Sequence, residues 1–196
     1  YTLDVCKNNN IPYFIIGNGS NLLVGDGGYR GVIIQISRNM SNITIEENQV
    51  YAQAGALLVK VANACLDAHL TGFEFAHGIP GTIGGAVYMN AGAYDGEIKQ
   101  VLLSADVIDQ RGNIRTLTNE ELELGYRTSK AQKEQMIVLG ARITLQPGNQ
   151  EEIREKMNHL AYLRRTKQPL TLPSAGSTFK RPEGCFAGKL IMDAGL

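Results

Sequence analysis

The chain has 196 residues, of which 43% are hydrophobic and 19% charged, so it can bury a sizeable core. Its formal net charge is zero, which gives a nucleic-acid partner no electrostatic support, and no apolar run has the length of a membrane span. Three widely separated cysteines, Cys6, Cys65 and Cys185, argue against both a zinc site and a disulfide framework. They read as small buried hydrophobes in a reducing compartment, so the expectation is a cytoplasmic protein without a metal.

In chain order, Tyr1 to Lys7 reads as the tail of a helix without a start signal, as if the chain began inside a domain. Ile11 to Ile16 reads as a buried strand entered through Pro12. Leu22–Val24, a turn at Gly25–Gly28 and Gly31–Ile36 read as a strand-turn-strand unit. Between them, Gly17-Asn-Gly-Ser-Asn21 does not fit a dinucleotide fingerprint, because the third glycine position falls on Leu22. It also lacks the Gly-Lys-Ser/Thr ending of a nucleotide phosphate loop. Its backbone N–H groups and short polar side chains suit a pyrophosphate without a lysine; an Asn-Gly hairpin turn suits the same residues equally well.

Ile43 to Ala54 alternates around Glu47-Asn48 as a hairpin. Leu58, Val61, Ala62, Cys65 and Leu66 recur at helical spacing, with Gly72 expected as the C-terminal cap. Gly72 to Gly96 then breaks every period. Its many glycines and Pro80 stand among Ile79, Ile83, Val87, Tyr88 and Met89, which is too apolar for an ordinary surface loop. Small residues among buried ones let the backbone approach a flat or elongated ligand closely. This stretch is the expected cradle.

Val101 to Thr116 reads as a second hairpin turning at Asp109–Asn113, and Thr118 with Glu121 has capping-box spacing for a short helix ending near Gly125. Met136 to Leu145 reads as a strand, and Asn149 with Glu152 caps a helix that buries Ile153, Met157 and Leu160. Pro169 and Pro173 mark a crossing, and the chain stops at Asp193–Leu196 inside what reads as a new element. Helices and hairpins alternate loosely, which predicts an α+β fold with mixed sheets.

Four segments now resemble one family. Ile16-Gly-Asn-Gly-Ser-Asn-Leu-Leu-Val24 is similar to the flavin pyrophosphate loop of the UDP-N-acetylenolpyruvoylglucosamine reductases (UDP-N-acetylmuramate dehydrogenases). Gly78-Ile-Pro-Gly-Thr-Ile-Gly-Gly-Ala86 with Met89-Asn-Ala-Gly92 is similar to their second flavin-binding stretch. Gly125-Tyr-Arg-Thr-Ser129 resembles their Tyr-Arg-x-Ser motif, and Ala175-Gly-Ser-Thr-Phe-Lys-Arg-Pro182 their Gly-Ser-x-Phe motif.

The resemblance implies an FAD-binding fold of the vanillyl-alcohol oxidase / p-cresol methylhydroxylase type. It would have a first flavin subdomain over 1–36, a second over 37–168 and the start of a substrate-binding domain over 169–196. It implies noncovalent FAD, NADPH as co-substrate and a UDP-sugar substrate, with no nucleic-acid or membrane partner and no indicated oligomer. The cofactor-binding residues it implies are Gly17, Asn18, Gly19, Ser20, Asn21 and Leu22, then Gly78, Ile79, Pro80, Gly81, Thr82, Gly84, Gly85 and Ala86, with Asn90, Ala91 and Gly92. Arg127 matches the arginine that stabilises the enolate-like species, and Ser177 the proton donor. Tyr126, Lys180 and Arg181 fall in the substrate-contacting motifs. The family's third catalytic residue, a late Glu, would lie beyond Leu196, and the short span from Arg127 to Ser177 is similar to the class without an extra substrate-covering loop. His77 reads as a packing residue and not a covalent flavin link. Two rivals are a flavin-binding module without turnover, which has no use for Arg127 and Ser177 together, and an oxidase of the same fold. The oxidase calls for a His or Cys near the pyrophosphate loop, and Gly17 to Asn21 has neither.

Overall fold

The computed structural model describes residues 1–168 and 179–196. The fold opens with helix α1 (Thr2–Asn8) and strands β1 (Tyr13–Ile16) and β2 (Val32–Gln35), which pair in parallel. From sequence, Leu22–Val24 reads as a strand. That segment instead runs exposed between the paired strands, Leu23 being 87% accessible, with Gly19 and Gly28 in the left-handed region. Nor is β1 fully buried. Phe14 lies opposite Ile33 on an open face of the two-stranded sheet and packs at a tilt against Tyr29, ring centroids 6.1 Å apart.

The main scaffold is a five-stranded antiparallel sheet in the order β3-β4-β10-β8-β9, from β3 (Ile43–Glu46), β4 (Gln49–Gln53), β8 (Leu102–Ile108), β9 (Ile114–Thr118) and β10 (Ile137–Thr144). Alternation along the strands, broken by irregularities in β10, places Val50, Ala52, Ala105, Val107, Ala141 and Ile143 on its buried face. Ala141 pairs with Ala52 on one side and with Ala105 on the other. This row of methyl-sized side chains lets a helix settle close to the sheet.

Helix α2 (Leu58–Asp67) buries Leu58, Val61, Ala62, Cys65 and Leu66, as its spacing predicts. Its C-cap is Ala68, not the expected Gly72, because His69 itself takes the left-handed conformation (φ 57°). Leu70 and Thr71 form β5. The glycine-rich stretch that follows is more regular than its sequence suggests. A 3₁₀ turn spans Glu74–Ala76, and α3 (Ile83–Tyr88) packs against β10 with Ile83, Ala86 and Val87 buried. The short strands β6 (Gly92–Ala93) and β7 (Gly96–Glu97) follow as a tight hairpin. Thr118 and Glu121 exchange the reciprocal capping bonds, 2.8 and 3.2 Å, yet only turns follow before Gly125.

Helix α4 (Lys130–Lys133) is capped by Ser129, and β11 (Gln146–Pro147) pairs with β5. Helix α5 (Gln150–Lys167) is capped by Asn149, whose side chain accepts from the N–H groups of Glu151 and Glu152. It is pinned to the glycine-rich stretch by Lys156, which reaches the buried Glu74 carboxylate at 3.2 Å. Helix α6 (Ala187–Asp193) closes the described chain.

Candidate functional site

The two glycine-rich loops converge. The parallel pairing of β1 with β2 means that the chain does not turn back as a hairpin after Ile16, and Gln35 at the end of β2 donates to the Gly17 carbonyl at 3.2 Å. Asn18 then donates to the Pro80 carbonyl at 3.0 Å, and Asn21 approaches the Met89 sulfur at 3.7 Å. Ser20 lies near Gly81, about a van der Waals contact (3.9 Å) from where a Cβ on that glycine would sit. Segments that are distant in sequence thus share one wall.

Thr82 stands at the junction. It is the N-cap of α3, but its hydroxyl makes no capping bond. The N–H groups of Ile83 and Gly84 donate instead to Ala56 and Ala54 carbonyls, both at 2.9 Å. The Thr82 Oγ1 is therefore buried without a hydrogen-bond partner among the described residues, and it faces Gly17 where a Cβ would overlap it. A buried hydroxyl left unbonded costs about 1–3 kcal/mol, so a ligand atom is the natural partner. Gly84 and Gly85 do opposite jobs: a Cβ on Gly84 would collide with Ala54 at 2.9 Å, whereas the exposed Gly85 has open space beyond Thr82.

Beside this junction lies a cavity of about 580 Å³ between the first sheet and β10. It is lined by Ile15, Gly17, Thr82, Gly85 and Tyr88 on one flank and by Ile137 and Val138 on the other. Lys7, Gln110 and Gln135 close its polar end, where Lys7 donates to the Gln110 carbonyl at 2.8 Å. No histidine or cysteine lines it among the described residues. His77 is half-buried outside the lining, and burial pushes its imidazole below the usual histidine range. The unbonded Thr82 hydroxyl, the Cβ-free Gly17 and the open Gly85 fit an elongated cofactor with a pyrophosphate.

A second cluster holds Arg127. The carbonyl and N–H of Gly125 exchange bonds with Thr128 at 3.2 and 3.1 Å, which leaves Tyr126 and Arg127 as the tip of a two-residue turn. Arg127 has φ 55°, and its guanidinium donates to the Gly92 carbonyl at 3.3 Å. The fully buried Ser129 donates to the Tyr88 carbonyl at 2.6 Å and accepts from Gln132 N–H. Asn90, only 1% exposed, donates to Glu97 and to the Gly125 carbonyl, both at 3.0 Å, and accepts from Lys99 N–H at 2.9 Å. The stretch from Tyr88 to Glu97 and the arginine turn are therefore stitched together.

The Tyr126 hydroxyl accepts from the Arg181 N–H at 3.1 Å, so the Tyr-Arg turn also meets the last described segment. The Arg181 guanidinium stacks 3.9 Å over Phe186 and donates to the Cys185 carbonyl; Lys180 is exposed. Ser177 lies outside the described residues. Gly78, Ile79 and Gly81 lie in the second loop, whereas Ala86 is buried inside α3 against the core, and Ala91 and Gly92 pack into the hairpin beside Asn90. The sequence gives no signal for Gln35, and Ser129 enters it only as the serine of the Tyr-Arg-x-Ser motif, not as a helix cap. Ser129-x-x-Gln132 does carry capping-box spacing, a signal that could have placed it.

Fold and loops together define a flavin-binding protein. A family model described as FAD binding domain matches residues 1–118. The protein of Clostridium perfringens (strain SM101 / Type A) named UDP-N-acetylenolpyruvoylglucosamine reductase is 58% identical over 195 residues, covering 100% of this chain. One of the same name from Clostridium tetani (strain Massachusetts / E88) is 54% identical over 196 residues. In both cases the chain spans 64% of the relative's length. The crystal structure of UDP-N-acetylenolpyruvylglucosamine reductase from Thermus caldophilus superposes with a TM-score of 0.81 at 34% identity, over 98% of this chain and 70% of that one. A Phl p 4 variant described as a glucose oxidase shares the fold at TM-score 0.56 and 10% identity, over 76% of this chain and 32% of that one. The chain belongs to the FAD binding domain family and, within it, to the UDP-N-acetylenolpyruvoylglucosamine reductases.

Proposed function

We propose that the protein reduces UDP-N-acetylglucosamine enolpyruvate to UDP-N-acetylmuramate with NADPH, in the cytoplasm, as a step of peptidoglycan precursor synthesis. The observation that carries this reading is the anchoring of the Arg127 turn onto the second flavin stretch, through Gly92, Asn90 and Ser129.

The loops Gly17–Leu22 and Gly78–Ala86 would hold FAD noncovalently, with the Thr82 hydroxyl and the exposed backbone of Gly85 turned toward it. FAD when bound supplies hydride transfer from the nicotinamide to the enolpyruvyl carbon. Arg127 binds the carboxylate on which negative charge develops. A guanidinium suits this because it never deprotonates and offers paired donors in a fixed fork. Ser177 Oγ gives its proton to the adjacent carbon, a task a serine performs only toward a strongly basic acceptor. Tyr126, with Lys180 and Arg181, contacts the UDP-sugar. The boundaries 1–36, 37–168 and 169–196 stand as the proposed domain division, supported by the separate first sheet of β1 and β2.

The test separates the two half-reactions in the full-length protein by stopped-flow absorbance at the flavin band. Ser177→Ala is expected to leave bleaching by NADPH within a few-fold and to slow reoxidation by the enolpyruvyl substrate by more than about a hundredfold, the low end for general acid catalysis. Ser177→Cys is expected to recover part of the loss, because a thiol is a better acid of similar reach. Equal slowing of both steps by Ser177→Ala would reassign the residue to ligand positioning.

A further inference from the structure

Asn90 belongs to the stretch that the sequence assigns to the cofactor, yet its side chain has little left to offer a ligand. It is 1% exposed, both amide hydrogens are engaged by the Glu97 carboxylate and the Gly125 carbonyl, and its oxygen accepts from Lys99 N–H. Its own backbone is left-handed at φ 46°, as is that of Arg127 at φ 55°. Asparagine tolerates that conformation better than most side chains, and here the conformation turns the amide inward.

The acceptor that matters is Gly125. Its carbonyl receives both Asn90 Nδ2, at 3.0 Å, and the Thr128 N–H that closes the turn, at 3.2 Å. Arg127 occupies the second tip position of that turn, with its guanidinium tied to the Gly92 carbonyl. A bulky residue in the left-handed region is strained and persists only where the surroundings over-determine it. Asn90 grips the base of the turn and Gly92, two residues further on, grips the tip.

We propose that Asn90 is a positioning residue that acts through Arg127 and does not ligate the cofactor. The inference rests on the reading of Arg127 as the carboxylate-binding residue. Removing the amide donors frees the base of the turn, and the guanidinium then loses register with the substrate carboxylate while the cofactor cradle at Gly17, Thr82 and Gly85 stays in place.

The experiment uses full-length holoenzyme carrying Asn90→Asp, which keeps shape but donates to neither acceptor, and Asn90→Ser, which is milder and keeps one donor. Three quantities are read: the FAD dissociation constant of the apoprotein, the rate of flavin reduction by NADPH, and the rate of reoxidation by the enolpyruvyl substrate. The first two are expected to stay within about threefold, while reoxidation falls by at least about tenfold, inside the roughly hundredfold that a 1 Å misplacement can cost. In an Arg127→Lys background the same substitution should cost less than about threefold in reoxidation, because its effect passes through the guanidinium. A loss of FAD affinity beyond tenfold with an unchanged reoxidation step would make Asn90 a cofactor ligand. Equal effects in the Arg127 and Arg127→Lys backgrounds, or equal slowing of both steps, would make it a scaffold residue only. If Arg127→Ala alone leaves reoxidation intact, the reading of Arg127 has failed instead. Should Asn90→Asp not yield folded holoenzyme, Asn90→Ser decides by the same three readouts.

Discussion

Gly17 and Thr82 sit so close that the hydroxyl of one fills the place where a Cβ of the other would be. Gly17→Ala must therefore push Thr82 aside, and overpacking of this kind costs about 1–3 kcal/mol. The movement also reaches the one hydroxyl that is buried without a partner among the described residues. We expect Gly17→Ala to lower both the melting temperature and the affinity of the apoprotein for FAD, read by flavin fluorescence titration. Adding Thr82→Ala should restore the melting temperature but not the affinity. Recovery of both would show that the hydroxyl has no part in binding.

Glu74 gives a pH test. Its carboxylate is almost fully buried and accepts from Thr71, from Gly72 N–H at 3.0 Å and from Lys156 at 3.2 Å. Burial alone would raise its pKa, but the hydrogen bonds from Thr71 and the backbone, together with Lys156, outweigh burial and hold it below the ordinary 4.5. A lowered folded value means the charge stabilises the fold above about pH 4.5 and that this contribution disappears as pH falls through the folded value. Glu74→Gln should lower the melting temperature at pH 7, and its gap to the unchanged protein should close as pH falls below 4.5 through the lowered folded value. Glu74→Ala should cost more, about 2–4 kcal/mol, since it leaves buried donors unbonded. Lys156→Met should cost under about 1 kcal/mol, because the lysine side chain is 57% exposed. A gap for Glu74→Gln that widens in acid would reverse the assigned sign.

The sequence carried the hairpins, α2, α5 and the sheet alternation because each rests on local periodicity. Glycine density among apolar residues pointed to a ligand at Gly72 to Gly96, whereas Gly17 to Asn21 suited a hairpin turn equally well until the resemblance was drawn. What it hid depended on distant partners. Helix α3 has buried residues at Ile83, Ala86 and Val87, a helical spacing, but Gly84 and Gly85 mask it until Ala54 supplies the surface that needs a glycine. The C-cap moved from Gly72 to Ala68 because β5 and Glu74 claim the intervening residues. The exposed path of Leu22–Val24 follows from the parallel pairing of β1 with β2, which no local turn signal encodes. The left-handed backbone of Arg127 was equally invisible, since arginine gives no hint of it.

The cysteines make a direct chemical prediction. Cys6 and Cys65 are buried, and the Cys65 thiol is pushed up to about 12 by burial and by the nearby Glu74 charge. Cys185 is exposed. A neutral maleimide at pH 7 should label Cys185 rapidly and the other two only on unfolding, as counted by intact mass and peptide mapping. Rapid labelling of Cys65 in the folded protein would contradict the packing of α2 against Glu74.

The last prediction concerns what the Arg127 backbone costs. At φ 55° a non-glycine residue carries on the order of 1–2 kcal/mol of strain, and glycine carries essentially none. Glycine also gives the unfolded chain more freedom, which offsets about 0.4–1 kcal/mol of that relief. The bond from the guanidinium to the Gly92 carbonyl, at 3.3 Å, is long and its loss small. Arg127→Gly should therefore match or exceed the original melting temperature by a degree or two, whereas Arg127→Val, β-branched and strained in the same region, should lower it by several degrees. Activity should follow chemistry and not stability. Both variants should lose about a hundredfold to a thousandfold in reoxidation by the enolpyruvyl substrate, the usual cost of removing a group that stabilises developing negative charge. Bleaching by NADPH should persist in both. Calorimetry and stopped-flow absorbance on the same preparations give the two numbers. An Arg127→Gly protein that is less stable than Arg127→Val would show that the turn is not strained; one that reoxidises normally would remove Arg127 from the chemistry.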